Sequence, residues 1–294
     1  MNGSESRVLC DILKSVGGID EIDILGGEPL LVPWIKDFVV YAIDAGFSIN
    51  ISTNGSLPYV VKELAHIDTQ ALNIGFSILG FEKTHNRLTR ANNFLKAIDG
   101  IKAVLASGKI PVVKSPLTKE NAHEINDLVL YLSELGIKKY YLLHEDLLGR
   151  EEQTSFFSFP QFRQFHTNLK TVTEGVMEID FVAASGFCTS MNRKRGRCNA
   201  GLTKIAVMPD GSAFPCNLFS GFKNFYLGNI LKDGIEEIWG NRVLDVFRGE
   251  NHKNICTKYG CIHYLDCMGG CPAHSYFAYG TVDRVDPRCN TPQK

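Results

Sequence analysis

Glu21-Ile-Asp-Ile-Leu-Gly-Gly-Glu-Pro-Leu30 opens with strand-forming residues and ends in two glycines, a carboxylate and a proline. An apolar strand that runs into a glycine turn and then into an amphipathic stretch is the repeating step of a parallel α/β sheet. The step recurs along the chain. Strands are expected at 21–25, 48–52, 72–78, 110–113, 139–143 and 178–183. Helical patterns lie near 5–16, 33–46, 57–66, 92–107, 120–136 and 159–174. The strands end in Gly26-Gly27-Glu28, Thr53-Asn54-Gly55, Ser77, Lys114-Ser115 and His144-Glu145. Loops at the carboxyl ends of parallel strands are where barrels and open sheets build their sites.

Beyond Ala183 the pattern changes to hairpin signals. Residues 204–208 and 212–216 are expected to pair across Pro209-Asp210-Gly211, a strong turn sequence, with short helices near 234–241 and 242–248. The domain division is therefore expected between 1–184 and 185–294. A net charge of −1 over 294 residues, with both signs spread along the chain, leaves no footprint for nucleic acid or an anionic membrane. The amino terminus carries no signal peptide pattern, and no apolar run approaches the roughly 20 residues of a membrane span. A cytoplasmic protein is expected, with neither nucleic acid nor membrane as a partner. The basic run at 192–197 reads as a solvated loop.

Eight of the nine cysteines follow residue 187: Cys188, Cys198, Cys216, Cys256, Cys261, Cys267, Cys271 and Cys289. Cys10 stands alone in an amphipathic helix with Val8, Leu9, Ile12, Leu13 and Val16, the setting of a small core residue. Without a sign of an oxidising compartment, a cysteine-dense segment points to metal or redox chemistry. The run Cys256-x4-Cys261-x5-Cys267-x3-Cys271 brings thiols together without long loop closure, and Gly269-Gly270 allows a tight backbone. The hairpin carries Cys198 towards Cys216. Eight thiols suffice for two four-thiolate sites, and the spacing leaves iron–sulfur, zinc and disulfides open.

The series Cys198-Asn-Ala-Gly201, Ile205-Ala-Val-Met-Pro-Asp-Gly211-Ser-Ala-Phe-Pro-Cys216, Leu227-Gly-Asn-Ile230, Ile235-Glu-Glu-Ile-Trp239 and Cys267-Met-Gly-Gly-Cys271-Pro272 resembles a SPASM domain. In that family's C-x2-C-x5-C-x3-C run the first interval is two, whereas here it is four. The resemblance implies two auxiliary 4Fe–4S clusters. Cys188, Cys198, Cys216 and Cys271 would hold the first, and Cys256, Cys261, Cys267 and Cys289 the second. Cys271 would then tie the two halves of the domain together.

The larger domain resembles the partial (β/α)6 barrel of radical S-adenosylmethionine (SAM) enzymes, here missing its first strand. The fold class expected is α/β, that partial barrel followed by a small cysteine-rich SPASM domain. Leu25-Gly-Gly-Glu-Pro-Leu30 is similar to the segment that binds the SAM amino group. The Phe76–Gly80 segment with His85-Asn86 and Leu88-Thr89 resembles the family's fourth-strand segment, although Leu79 stands where an aspartate is usual. Gly26, Gly27, Glu28 and Ser77 are the SAM contacts so implied. Asn121 and Gly149-Arg150 also resemble family positions. No catalytic residue is implied.

Radical SAM enzymes bind their reducing cluster through C-x3-C-x2-C, and these 294 residues contain no such motif. The expectation is a truncated radical SAM/SPASM maturase of a peptide or protein, lacking the SAM-cleaving cluster and unable by itself to cleave SAM. The intact enzyme would use SAM and an electron donor such as flavodoxin or ferredoxin. Asn217 follows Cys216 where sulfatase-maturating relatives place a basic aspartate, which argues against formylglycine formation. The alternative is a non-catalytic, peptide-binding relative or partner of an active maturase, its iron–sulfur or zinc sites serving as staples.

Overall fold

The computed structural model describes residues 1–144, 157–182, 198–248, 260–261 and 269–289. The expected boundary at 184/185, the basic run at 192–197, Gly149-Arg150, Cys188, Cys256 and Cys267 lie outside the described residues. Two compact units emerge. One comprises the described residues from Asn2 to His144 and from 157 to Phe181; the other comprises Met1, Val182 and those from Cys198 onward.

In the larger unit, helix α1 (Gly3–Val16) leads into β1 (Glu21–Ile24). There follow α2 (Ile35–Asp44), β2 (Ser48–Thr53), α3 (Pro58–Ala65), β3 (Leu72–Ser77), α4 (Glu82–Thr89) and α5 (Phe94–Ala106). Then come β4 (Val112–Pro116), α6 (Ile125–Glu134), β5 (Lys139–Leu143), α7 (Phe159–Val172) and β6 (Glu178–Val182). The six strands form one sheet in sequence order, with β1 at an edge and parallel pairing from β1 through β5. This is the expected α/β architecture.

Its two faces differ in chemistry. One buries Ile49, Ile51, Ile74, Phe76, Val113, Tyr140 and Leu142 beneath the helices. Alternate residues turn Asp23, Asn50, Asn73, Ser52, Ser77, Lys114 and Tyr141 to the other face, where they are half-buried or exposed. Parallel strands covered on both faces read as continuous apolar runs; alternation leaves one face wet.

Four local expectations shift. The fourth strand runs from 112 to 116 rather than 110 to 113: Pro111 has no N–H to give a ladder, and Lys114 and Pro116 sit on the polar face. The sixth helix starts at Ile125, because Asn121 is tied into a turn before it. Helix α4, strongly polar with only Thr84 and His85 buried, was not expected. Cys10 is fully buried as expected, yet Val8 and Val16 of the same helix are exposed, since α1 rests chiefly on α2.

In the smaller unit, β7 (Ala206–Val207) pairs antiparallel with β8 (Ser212–Phe214), which pairs with β9 (Gly228–Asn229). The hairpin is the expected one. Its turn needs Gly211, which has φ +85° and whose missing Cβ would fall 2.7 Å from Asn229 Oδ1. Helices α8 (Ile230–Gly240), α9 (Asp245–Arg248) and α10 (Pro272–Tyr279) follow, the last unforeseen. Phe219 lies at the centre of a ring cluster, 4.1 Å from Phe225, 5.4 Å from Phe247 and 6.1 Å from Tyr276 between centroids.

Candidate functional site: the polar sheet edge and the thiol group

Parallel pairing places the ends of β1, β2 and β3 along one edge of the sheet. Gly26 and Gly27 follow β1 with open space where a Cβ would stand, so their backbone is free to be approached closely. Glu28 does not project freely from this edge. One carboxylate oxygen accepts from Thr53 Oγ1 at 2.7 Å and Leu30 N at 3.1 Å, and the other from Asn54 N at 2.7 Å. A carboxylate offers about four acceptor positions. Glu28 is thus first a brace between the β1 and β2 loops, with about one position left for a cation.

Ser77 ends β3, in register with Lys114 on β4. Between them and β1 lies a polar array that the strand assignments did not single out. Asn50 Nδ2 donates to Asp23 at 2.9 Å, and Asn73 Nδ2 donates to Asn50 Oδ1 at 2.9 Å. Lys114 reaches over Gly75 to donate to Ser52 Oγ at 2.9 Å. Burial lowers the Lys114 pKa, and the charge of Asp23 partly opposes this. The period-two pattern in Glu21–Ile24 and Ser48–Thr53 is the signal that could have found this wet face.

His85 and Asn86, part of the family-like segment, act as a frame for the edge. The fully buried His85 accepts from Leu79 N at Nδ1, so its proton resides on Nε2, which donates to Asn93 Oδ1 at 3.1 Å. Desolvation lowers the His85 pKa and keeps it neutral. Asn93 Nδ2 in turn donates to Asn54 O, and Asn121 Nδ2 donates to Leu79 O and Pro116 O. Asn121 is therefore a clasp between the β3 and β4 loops.

In the smaller unit Cys271 is buried, and Cys198 and Cys216 are half-buried. Cys216 caps a 3-10 turn, its sulfur accepting from Leu218 N at 3.3 Å, while its thiol faces Asn217 Oδ1 at 3.7 Å. Burial pushes Cys216 up and Cys271 up to about 12; the amides of His274 and Ala273 pull Cys271 the other way. Burial disfavours the free thiolate, and a bound metal is one partner that offsets this. Sulfur donors are the ligand type an iron–sulfur cluster takes. Cys261 and Cys289 are half-buried. Among the described residues no three Cys, His, Asp or Glu side chains converge on a single metal ion.

The Cys271 backbone is fixed by a residue missed in the sequence. Asp286, fully buried, accepts from Cys271 N at 3.0 Å and from Arg288 through Nε at 2.9 Å and Nη2 at 2.7 Å. Burial would push the Asp286 carboxyl up, but the Arg288 guanidinium and these hydrogen bonds hold it below its usual range.

The parallel α/β sheet with a polar carboxyl edge, followed by a hairpin unit that carries thiols, has the fold of radical SAM enzymes with a SPASM domain. The SPASM iron–sulfur cluster-binding domain matches residues 198–262. The chain is 26% identical to the AdoMet-dependent heme synthase of Methanosarcina barkeri, across 97% of this chain and 86% of that protein. It is 27% identical to the mycofactocin maturase MftC of Mycobacterium ulcerans, across 91% and 74%. The crystal structure of Streptococcus suis SuiB bound to its precursor peptide SuiA superposes with a TM-score of 0.82 at 18% identity, covering 99% of this chain and 70% of that one. The chain carries a match to the SPASM domain and is similar over most of its length to radical SAM maturases.

Proposed function

We propose that this chain belongs to a maturase that modifies a peptide or protein substrate, with two auxiliary 4Fe–4S clusters in the SPASM domain. The observation that supports the proposal is the match of residues 198–262 to an iron–sulfur cluster-binding domain, with Cys271 buried and Cys198 and Cys216 half-buried in the same unit. Cys188, Cys198, Cys216 and Cys271 would hold one cluster, and Cys256, Cys261, Cys267 and Cys289 the other. Such clusters supply electron transfer or a ligand-binding iron. Gly26 and Gly27 would offer carbonyls to the SAM ammonium, Glu28 its remaining acceptor position, and Ser77 a hydroxyl. The array of Asp23, Asn50, Asn73 and Lys114 would present hydrogen bonds and charge to a polar substrate.

Peptide substrates are supported by the similarity to MftC and to SuiB bound to its precursor peptide. The similarity to a heme synthase makes a porphyrin the second substrate class to test. The 294 residues contain no C-x3-C-x2-C, and this polypeptide alone is proposed not to cleave SAM. Anaerobic reconstitution followed by iron, sulfide and zinc analysis is the direct test. About eight irons with matching sulfide support the assignment, and stoichiometric zinc without sulfide rejects it. 5′-Deoxyadenosine formed from SAM under dithionite would contradict the inactivity of this polypeptide. Equal protection of the polar sheet edge by a peptide and by a porphyrin in hydrogen exchange would count against peptide specificity.

A further inference from the structure

The two last cysteines resolved in the smaller unit, Cys271 and Cys289, are separated by 17 intervening residues and assigned above to different clusters. One residue holds both. Asp286 Oδ2 accepts from Cys271 N at 3.0 Å, and the Asp286 carbonyl accepts from Cys289 N at 2.9 Å. Asp286 N donates to Gly269 O at 2.8 Å, closing the same segment from its other side. Each contact is short and main-chain directed, so a displacement of Asp286 moves both ligand backbones.

The carboxylate is held in turn. Arg288 donates to Oδ1 from Nε at 2.9 Å and to Oδ2 from Nη2 at 2.7 Å, and its own N–H donates to Oδ1 at 2.9 Å. Both side chains are almost completely buried, at 0% and 5% exposure for Asp286 and Arg288. A backbone amide such as that of Cys271 is satisfied equally well by a neutral carbonyl. Burying an ion pair for the purpose carries a desolvation cost that a neutral acceptor avoids. The pair therefore does more than satisfy an amide: it sets a fixed charge and a fixed geometry beside a thiolate ligand. The backbone is shaped to admit it. Gly270 has φ +90°, and a Cβ there would fall 2.4 Å from Asp286 Cβ.

We propose that Asp286, locked by Arg288, is a positioning residue shared by the two auxiliary clusters, aligning Cys271 and Cys289 and tuning the cluster that Cys271 binds. This rests on the cluster assignment above. It extends that assignment by making the two clusters depend on one residue that ligates neither. The guanidinium partner also explains why the sequence Asp286-Pro-Arg-Cys289 keeps its cation two residues from its carboxylate.

The test uses the full chain, reconstituted anaerobically, with iron and sulfide counts, electron paramagnetic resonance and a redox titration. Asp286→Ala is expected to lose at least half of the parent's iron, with signals from both clusters diminished. Asp286→Asn keeps the shape and one acceptor oxygen, so it is expected to retain iron but shift the potential of the Cys271 cluster to a more positive value. Arg288→Lys, which keeps the charge, should lie closer to the parent than Arg288→Met. Unchanged iron, spectra and potentials in both Asp286→Asn and Arg288→Met would overturn the proposal. Absence of iron and sulfide from the parent chain would instead overturn the cluster assignment itself, and is thus recognised separately. Far-ultraviolet circular dichroism identifies a variant that fails to fold, in which case the isosteric Asp286→Asn decides.

Discussion

The larger unit buries Ile49, Ile51, Ile74, Phe76, Val113 and Leu142 in one continuous layer between sheet and helices, whereas the smaller unit has strands of two or three residues around a cluster of rings. Each buried aliphatic or aromatic side chain contributes roughly 1.5–3 kcal/mol, so the sheet layer is self-sufficient. Hairpins this short are marginal alone. The smaller unit instead combines the rings of Phe219, Phe225, Phe247 and Tyr276 with half-buried and buried cysteines. The contrast separates a scaffold that folds on apolar burial from a module whose order is expected to depend on cluster binding.

The sharpest way to break this contrast is to remove the metal. Chelated, cluster-free protein is expected to lose protection in the residues after Cys198 while those of the larger unit keep theirs, as read by hydrogen exchange, because structural metal binding is worth on the order of 10 kcal/mol. Cys271→Ala should reproduce much of this loss in iron content and in exchange. A smaller effect follows from Phe219→Ala, expected to cost about 3–5 kcal/mol and to lower the melting transition of the smaller unit alone.

Below that lies His85→Leu, which removes the partner of Leu79 N and of Asn93 and should destabilise the larger unit by about 1–3 kcal/mol per orphaned group. Chemical denaturation measures it.

The smallest effect is a pH dependence confined to the larger unit. Burial pushes His166 down to about 4, with the charges of Lys170 and Arg163 adding to it. The unfolded chain takes up a proton near the ordinary value of about 6.5, before the folded one does. Stability is therefore complete above that value and declines as the pH falls towards 4. His166→Phe, beside Phe181, should flatten that decline, seen as a change of a few degrees in melting temperature between pH 7 and 4.5.

All six strands were legible because each is a short run with a fixed period. The fourth was displaced because Lys114 and Pro116 look like a loop until the polar face of the sheet gives them a reason to be strand. Helix α4 was hidden by the opposite cause: its sequence has almost no apolar face, and it is held by the His85, Asn86 and Asn93 network instead. The thiols were recognised through their spacing and surrounding motif, yet the partner of Cys271 was not. Asp286 lies 15 residues away and carries no local signal.

Sequence by itself determined the order of sheet and cysteine module, because periodicity and residue chemistry are local properties. Tertiary structure alone decided which donors are already occupied: Glu28 braces two loops, and Asp286 fixes Cys271 and Cys289. The physical reason is that a hydrogen bond depends on distance in space, and only folding brings residues 28 and 53, or 271 and 286, within 3 Å of one another.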